Sequence, residues 1–135
     1  MERVLVDTSA VFALLVRNDR CHKAAKAALE SLKKERFEPL LTNFIVAECH
    51  ALLLSRVGAD FARSWLLGNV WPVERLSVED EAKAAEIIRQ FIDKTFSYTD
   101  ATSFAIMERL GIRRAFAFDP HFQQYGFSTI GPTNL

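Results

Sequence analysis

The chain has little of what would commit it to a specialised class. Cysteine occurs only at Cys21 and Cys49, too few for a disulfide framework or a zinc knuckle. Each is followed directly by a histidine, as Cys21-His22 and Cys49-His50. That is not a zinc-ligand spacing, so both read as small, partly buried residues without a chemical role. Glycine and proline number five and four, and no stretch is rich enough in Pro, Gly or Ser to form a linker, a repeat or a low-complexity tail. No apolar run approaches the ~20 residues of a membrane span. The opening Met1-Glu2-Arg3-Val4-Leu5-Val6-Asp7 lacks the layout of a signal peptide. These absences point to a cytoplasmic protein without a membrane partner. Excess charge is missing too, since 17 basic residues balance 17 acidic ones. A protein that binds nucleic acid through its overall charge is basic, so a nucleic-acid partner has to be argued from local charge.

What is present is an ordinary globular composition, 50% hydrophobic and 25% charged over 135 residues, the size of one domain spanning residues 1–135. Short apolar runs alternate with longer amphipathic ones. Val4-Leu5-Val6 reads as a buried strand, Ser9 to Leu15 as a short helix, and Asp19 to Glu35 as a longer helix with Ala24, Ala28 and Leu32 on its apolar face. Residues 39–42 form a second strand and Asn43 to Arg56 a helix closed by Gly58. A further helix covers Ala59 to Leu67, and 71–76 is extended. Ser77 with Asp80 resembles a capping box that opens a helix reaching Thr95. Thr99 caps a helix from Asp100 to Leu110 that stops at Gly111. Residues 115–118 form a buried strand, Pro120 sits in a first helical turn, and 127–130 form a last short strand. Strand and helix alternate throughout, which predicts an α/β protein with a parallel sheet flanked by helices. Trp65, Trp71 and the eleven phenylalanines are expected in the core.

Four acids stand apart from the solvated helix faces. Glu48 has Phe44, Ile45, Ala51 and Leu52 three and four positions away, which places it in an apolar stripe. A buried carboxylate there needs a cation or a metal to offset its desolvation. Asp7 and Asp119 each end a strand, and in open parallel sheets the carboxyl ends of strands line the ligand crevice. Asp100 opens a helix. Singly, Asp7 and Asp119 can be helix caps and Asp100 a favourable charge at a helix start. Together the four converge on one edge of the sheet. None of the three histidines offers a general-base arrangement.

The same residues resemble the motifs of a PIN-domain protein, and specifically of a VapC-type toxin from a toxin–antitoxin pair. Val4-Leu5-Val6-Asp7-Thr8-Ser9-Ala10 is similar to the family's opening strand and first acid. Thr42-Asn43-Phe44-Ile45-Val46-Ala47-Glu48 resembles its second motif and Ser97-Tyr98-Thr99-Asp100-Ala101 its third. Ala115-Phe116-Ala117-Phe118-Asp119-Pro120-His121-Phe122, with Gly126-Phe127, resembles its C-terminal signature. The resemblance covers nearly the whole chain. It implies a PIN fold and Mg²⁺, with Mn²⁺ as substitute, held by the catalytic acids Asp7, Glu48, Asp100 and Asp119, with Thr8, Ser9 and Thr99 in support. It also implies endonucleolytic cleavage of RNA by a metal-activated water, a small cognate antitoxin and a homodimer.

Carboxylate oxygens suit Mg²⁺ and Mn²⁺, and such ions promote in-line attack of water on phosphorus. The expected products carry a 5′-phosphate and a 3′-hydroxyl. Arg17, Arg20, Lys23 and Lys26 form one basic group and Arg109, Arg113 and Arg114 another. Either group contacts RNA phosphates or is simply solvated. Three other readings compete. One is a non-catalytic PIN-like module that binds RNA or metal, and another is a PIN nuclease outside toxin–antitoxin systems. The third is a phosphotransfer domain, against which Asp7 lacks a second Asp two positions on.

Overall fold

The computed structural model describes residues 1–131; the last four residues of the expected domain, 132–135, lie outside the described residues. Five strands form one sheet: β1 (Arg3–Val6), β2 (Glu38–Thr42), β3 (Val73–Glu74), β4 (Arg114–Phe116) and β5 (Ser128–Ile130). Every pairing is parallel, in the order β3-β2-β1-β4-β5. Seven helices connect the strands of the described chain: α1 (Thr8–Leu15), α2 (His22–Lys34), α3 (Asn43–Arg56), α4 (Ala59–Gly68), α5 (Val78–Gln90), α6 (Tyr98–Leu110) and α7 (His121–Tyr125). No helix among them is long and apolar enough to cross a membrane.

The chain runs outward from β1 through β2 to β3, then returns across the sheet to β4 and β5. Crossovers between parallel strands are right-handed, so the reversal puts the helices that precede it and those that follow it on opposite faces. It also makes the β1–β4 junction the topological switch point, the usual place for a ligand crevice. Val4, Leu5, Val6, Ala115 and Phe116 are fully buried at that junction, as expected of central strands covered on both faces. Phe104, Phe122, Ile106 and Met107 complete the core beneath it.

Several boundaries differ from the sequence-based expectation, each for a local reason. Helix α2 begins at His22 rather than Asp19, because the Asp19 carboxylate accepts the Cys21 N–H at 2.9 Å and makes a turn ahead of the helix. Its fully buried residues are Ala25 and Leu32, with Ala24 and Ala28 only half-buried. Helix α5 ends at Gln90 instead of Thr95, since Phe91 leaves helical geometry (φ −95°, ψ 61°) and its ring packs against Phe96 and Tyr125. Helix α6 is capped by Ser97, not Thr99, through a complete capping box: Ser97 Oγ accepts the Asp100 N–H and Asp100 Oδ2 accepts the Ser97 N–H, both at 3.0 Å. Gly111, at φ 69°, is its left-handed stop. Strand β4 is shorter and earlier than expected, Arg114–Phe116, and Pro120 caps α7 instead of entering it. Of the expected extended segment 71–76, only Val73 and Glu74 pair as a strand, and β5 begins at Ser128 rather than at residue 127.

Asp80, predicted as a capping residue and found as one, has a second role. It is buried, and the Arg109 guanidinium grips it through Nε at 2.8 Å and Nη2 at 2.9 Å, while Glu74 takes Nη2 at 3.0 Å. The cluster ties β3 and α5 to α6, the helix that carries Asp100. The Arg109 guanidinium holds the Asp80 carboxyl below its ordinary range.

Candidate active site

Asp7 sits one residue past β1. Its N–H donates to the Phe116 carbonyl at 2.9 Å, and its side chain caps α1. Asp119 follows β4 across the switch point. Asp100 arrives from the first turn of α6 and Glu48 from the middle of α3. All four line one open cleft of about 610 Å³, together with Thr8, Ser9 and His121. An apolar groove elsewhere, between Leu14, Leu15, Trp65 and Trp71, has no titratable side chain in its lining and so offers no acid–base or metal chemistry.

Each aspartate is held by one oxygen. Asp7 Oδ2 accepts the Ser9 hydroxyl at 2.7 Å and the Ser9 N–H at 3.2 Å. Asp119 Oδ1 accepts the His121 N–H at 2.9 Å. Asp100 Oδ2 accepts the Ser97 N–H at 3.0 Å and His121 Nδ1 at 2.7 Å. The Asp7 and Asp119 carboxyls also lie close enough to share a hydrogen bond, and the second oxygen of Asp100 takes no N–H or hydroxyl among the described residues. The crowding is costly. Burial pushes the Asp7 carboxyl well above the usual range, and the neighbouring Asp119 charge pushes it further. Asp119 is also raised, first by its own desolvation and then by Asp100. A cation would relieve both effects.

The donor set fits a divalent ion. Ligand atoms of Asp100, Asp119 and His121 lie within 4.8 Å of one another, and one oxygen per carboxylate matches the way Mg²⁺ is held while keeping several waters. An orphaned hydroxyl supports the fit: Thr8 is 6% exposed and its Oγ1 makes no hydrogen bond. The buried thiol of Cys49, a weak hydrogen-bonding group, lies beside it. A buried polar group without a partner is rare unless a ligand or water supplies one.

Not every expected residue lies where the sequence suggested. Glu48 is exposed, not buried. The buried stripe of α3 is Ile45, Cys49 and Leu53, and Glu48 is one position off it, turned to the cleft. Its carboxylate therefore needs no compensating partner in the fold. Thr99 lines a neighbouring depression beside Glu48 and Phe44, and its carbonyl accepts the Thr102 hydroxyl at 2.7 Å. Arg114 lies at the amino end of β4, opposite the cleft, where Glu2 and Glu35 engage it. Arg113 borders Glu2 and Arg3 at that same end. Arg109 is committed to Asp80 and Glu74. Arg17 and Lys26 line a surface depression with His22 and Lys33, and neither Arg20 nor Lys23 lines the cleft.

His121 was missed. Its signal was its place two residues after Asp119, in the first turn of a helix, where an aspartate commonly turns back on the chain.

The PIN domain family model matches residues 4–128. The chain belongs to the PIN domain family. Among curated relatives, it is 33% identical over 132 residues, covering 96% of this chain and 98% of the relative, to the 23S rRNA-specific endonuclease VapC20 of Mycobacterium tuberculosis, from two strains. It is 24% identical over 119 residues to ribonuclease VapC26 of the same species. The crystal structure of Mycobacterium tuberculosis VapC20, described as a sarcin-ricin loop cleaving toxin, superposes with a TM-score of 0.84 at 32% identity, covering 96% of this chain and 99% of that one. FitAcB from Neisseria gonorrhoeae shares the fold, with a TM-score of 0.67 at 17% identity over 98% of this chain and 99% of that one.

Proposed function

We propose that this PIN domain is a metal-dependent endoribonuclease, the toxin of a type II toxin–antitoxin pair, acting in the cytoplasm. The observation that carries this reading is the set of three aspartates gathered at the switch point, each held by a hydrogen bond from the fold. Asp7, Asp100 and Asp119 would hold Mg²⁺, or Mn²⁺ in its place, with Glu48 at the cleft edge completing the negative site. When bound, the ion supplies charge neutralisation at the phosphodiester and activation of water for in-line attack.

The chain's own residues do the positioning. Ser9 fixes the Asp7 carboxyl, the α6 capping box fixes Asp100, and the α7 N–H fixes Asp119. Arg17, Arg20 and Lys23 are the basic residues proposed to meet the flanking RNA backbone. Arg113 and Arg114, at the far end of the sheet, can serve only a substrate long enough to wrap around it. The extent of the match to VapC20 supports 23S ribosomal RNA as the first substrate to try. It also supports a small antitoxin as partner, and a homodimer is proposed for the free chain.

The test incubates the purified chain, freed of any antitoxin, with end-labelled 23S rRNA fragments in Mg²⁺ or Mn²⁺. EDTA and an identically prepared Asp100→Asn protein serve as controls. Discrete cuts that vanish in both controls, leaving 5′-phosphate and 3′-hydroxyl ends, are expected. A 2′,3′-cyclic phosphate product, or equal cutting by Asp100→Asn, overturns the mechanism. Metal binding without cleavage of any RNA would favour a non-catalytic module.

A further inference from the structure

We propose that His121 is a positioning residue that locks Asp100 and Asp119 into one rigid donor pair. Its backbone N–H holds Asp119 Oδ1 at 2.9 Å and its ring Nδ1 holds Asp100 Oδ2 at 2.7 Å. Among the described residues no other residue hydrogen-bonds to both acids. They come from separate pieces of chain, Asp100 from α6 and Asp119 from the loop after β4, and their like charges repel. A group that bridges them is what keeps them from splaying.

The ring's orientation follows from its partners. A carboxylate can only accept, so the bond between Asp100 Oδ2 and His121 Nδ1 requires the tautomer with its proton on Nδ1. The ring stands edge-on to Phe96, with centroids 5.7 Å apart at 77°, and Phe96 is itself buried against Phe104. The imidazole is thereby wedged, and its Nδ1–H is aimed at Asp100 before any ion arrives. Groups that orient the ligands of a metal in this way commonly change its affinity about 10–100-fold when removed. A competing role exists on the same atoms: the imidazole could itself be a nitrogen ligand beside Asp100 and Asp119. A nitrogen ligand would favour Mn²⁺ over Mg²⁺, whereas a positioning role affects both ions alike.

The inference rests on the metal-nuclease reading, and the experiment separates the two. Mn²⁺ binding to the intact purified chain is measured by the loss of the free-ion electron paramagnetic resonance signal, and Mg²⁺ binding by competition. Wild type, His121→Ala and His121→Asn are compared, because the Asn amide can place an N–H close to where Nδ1 stood. Circular dichroism and thermal unfolding of the metal-free proteins check that each is folded. His121→Ala should weaken both ions by about 10–100-fold, and His121→Asn should restore most of the loss for both. Wild-type affinity in His121→Ala overturns the proposal. So does a loss that His121→Asn fails to repair and that is much larger for Mn²⁺, which assigns the imidazole to the metal itself. If the folded wild-type chain binds no Mn²⁺ at all, the metal-nuclease reading falls and this inference falls with it.

Discussion

The Ser9 hydroxyl and the Asp7 carboxylate are committed to each other: Oγ donates to Oδ2 at 2.7 Å and at the same time accepts the Phe118 N–H at 3.0 Å. Ser9 therefore staples the start of α1 to the segment leading into Asp119, and its hydroxyl proton is not available to substrate. Thr8, one residue earlier, has the opposite character, a buried hydroxyl without a hydrogen bond. Ser9→Ala should cost about 1–3 kcal/mol of stability, because it removes the bond to the buried Asp7 carboxyl and strands a backbone donor. Thr8→Val should leave stability within about 0.5 kcal/mol of wild type, because its buried hydroxyl makes no strong bond to lose, and should leave cleavage within about two-fold. Denaturant unfolding and single-turnover cleavage of both variants decide the matter; equal stability losses would show that the two hydroxyls are equivalent.

Asp7 should make the metal-free protein less stable as pH rises. Its folded-state carboxyl is raised from 3.8 to about 8, so between those values the native state binds more protons than the unfolded chain. Stability then falls with increasing pH across that window and is unaffected by this group below it. Asp7→Asn removes the penalty. In EDTA its Tm should exceed wild type by a few °C at pH 8 and match it near pH 4. Saturating Mg²⁺ at pH 8 should raise the wild-type Tm and leave the variant nearly unmoved. A difference in Tm that does not change with pH would sink this account.

These two acids illustrate what a sequence can and cannot convey here. Asp7 and Asp119 were legible because buried-strand runs end at them, and parallel topology brings strand ends together. The all-parallel α/β fold followed from the same alternation. Glu48 was found for a mistaken reason. Its apolar neighbours suggested burial, but a helix buries a stripe only about 100° wide, and Ile45, Cys49 and Leu53 define it. Ser97 was overlooked as the α6 cap because Thr99 is also a good cap, and only the reciprocal bond from Asp100 decides between them. His121 could not be assigned from spacing alone, since its ring reaches an acid 21 residues away. The pairing of two of the arginines was hidden for a similar reason: Arg109 and Arg114 are engaged in long-range ion pairs that local sequence does not reveal.

Glu48 offers the cleanest separation of function from folding. Because it is exposed and carries no hydrogen bond of the fold, Glu48→Gln should change unfolding free energy by less than about 0.5 kcal/mol. Metal-dependent cleavage should nevertheless fall by at least about ten-fold, as the cleft loses one of its four acidic side chains. Parallel thermal melts and cleavage rates test this. Unaltered cleavage would remove Glu48 from the site.

The Arg109–Asp80 pair should behave in the reverse manner, mattering to the fold and only indirectly to the site. Arg109→Ala leaves the Asp80 carboxylate buried without its cation and should cost about 2–4 kcal/mol. Glu74→Gln, at the exposed end of the cluster, should cost less than about 1 kcal/mol. The Asp80 carboxyl is lowered in the folded protein, so its stabilisation is complete above the ordinary Asp value and disappears as pH falls through the lower folded one. Urea unfolding of wild type and Arg109→Ala should thus converge in acid. A gap that persists unchanged to low pH would mean that the pair is not the source of the difference.

The pairing of β1 with β4 has a bearing on how the protein can be made in a cell. Ser9 must wait for Phe118, 109 positions later, before the two sides of the cleft are joined. Chains emerge from the ribosome N-terminus first, so a nascent chain that has not reached Phe118 has no assembled cleft, even when it already carries Asp7 and Glu48. The cleft is therefore a late product of folding, assembled only once the β1–β4 junction has formed.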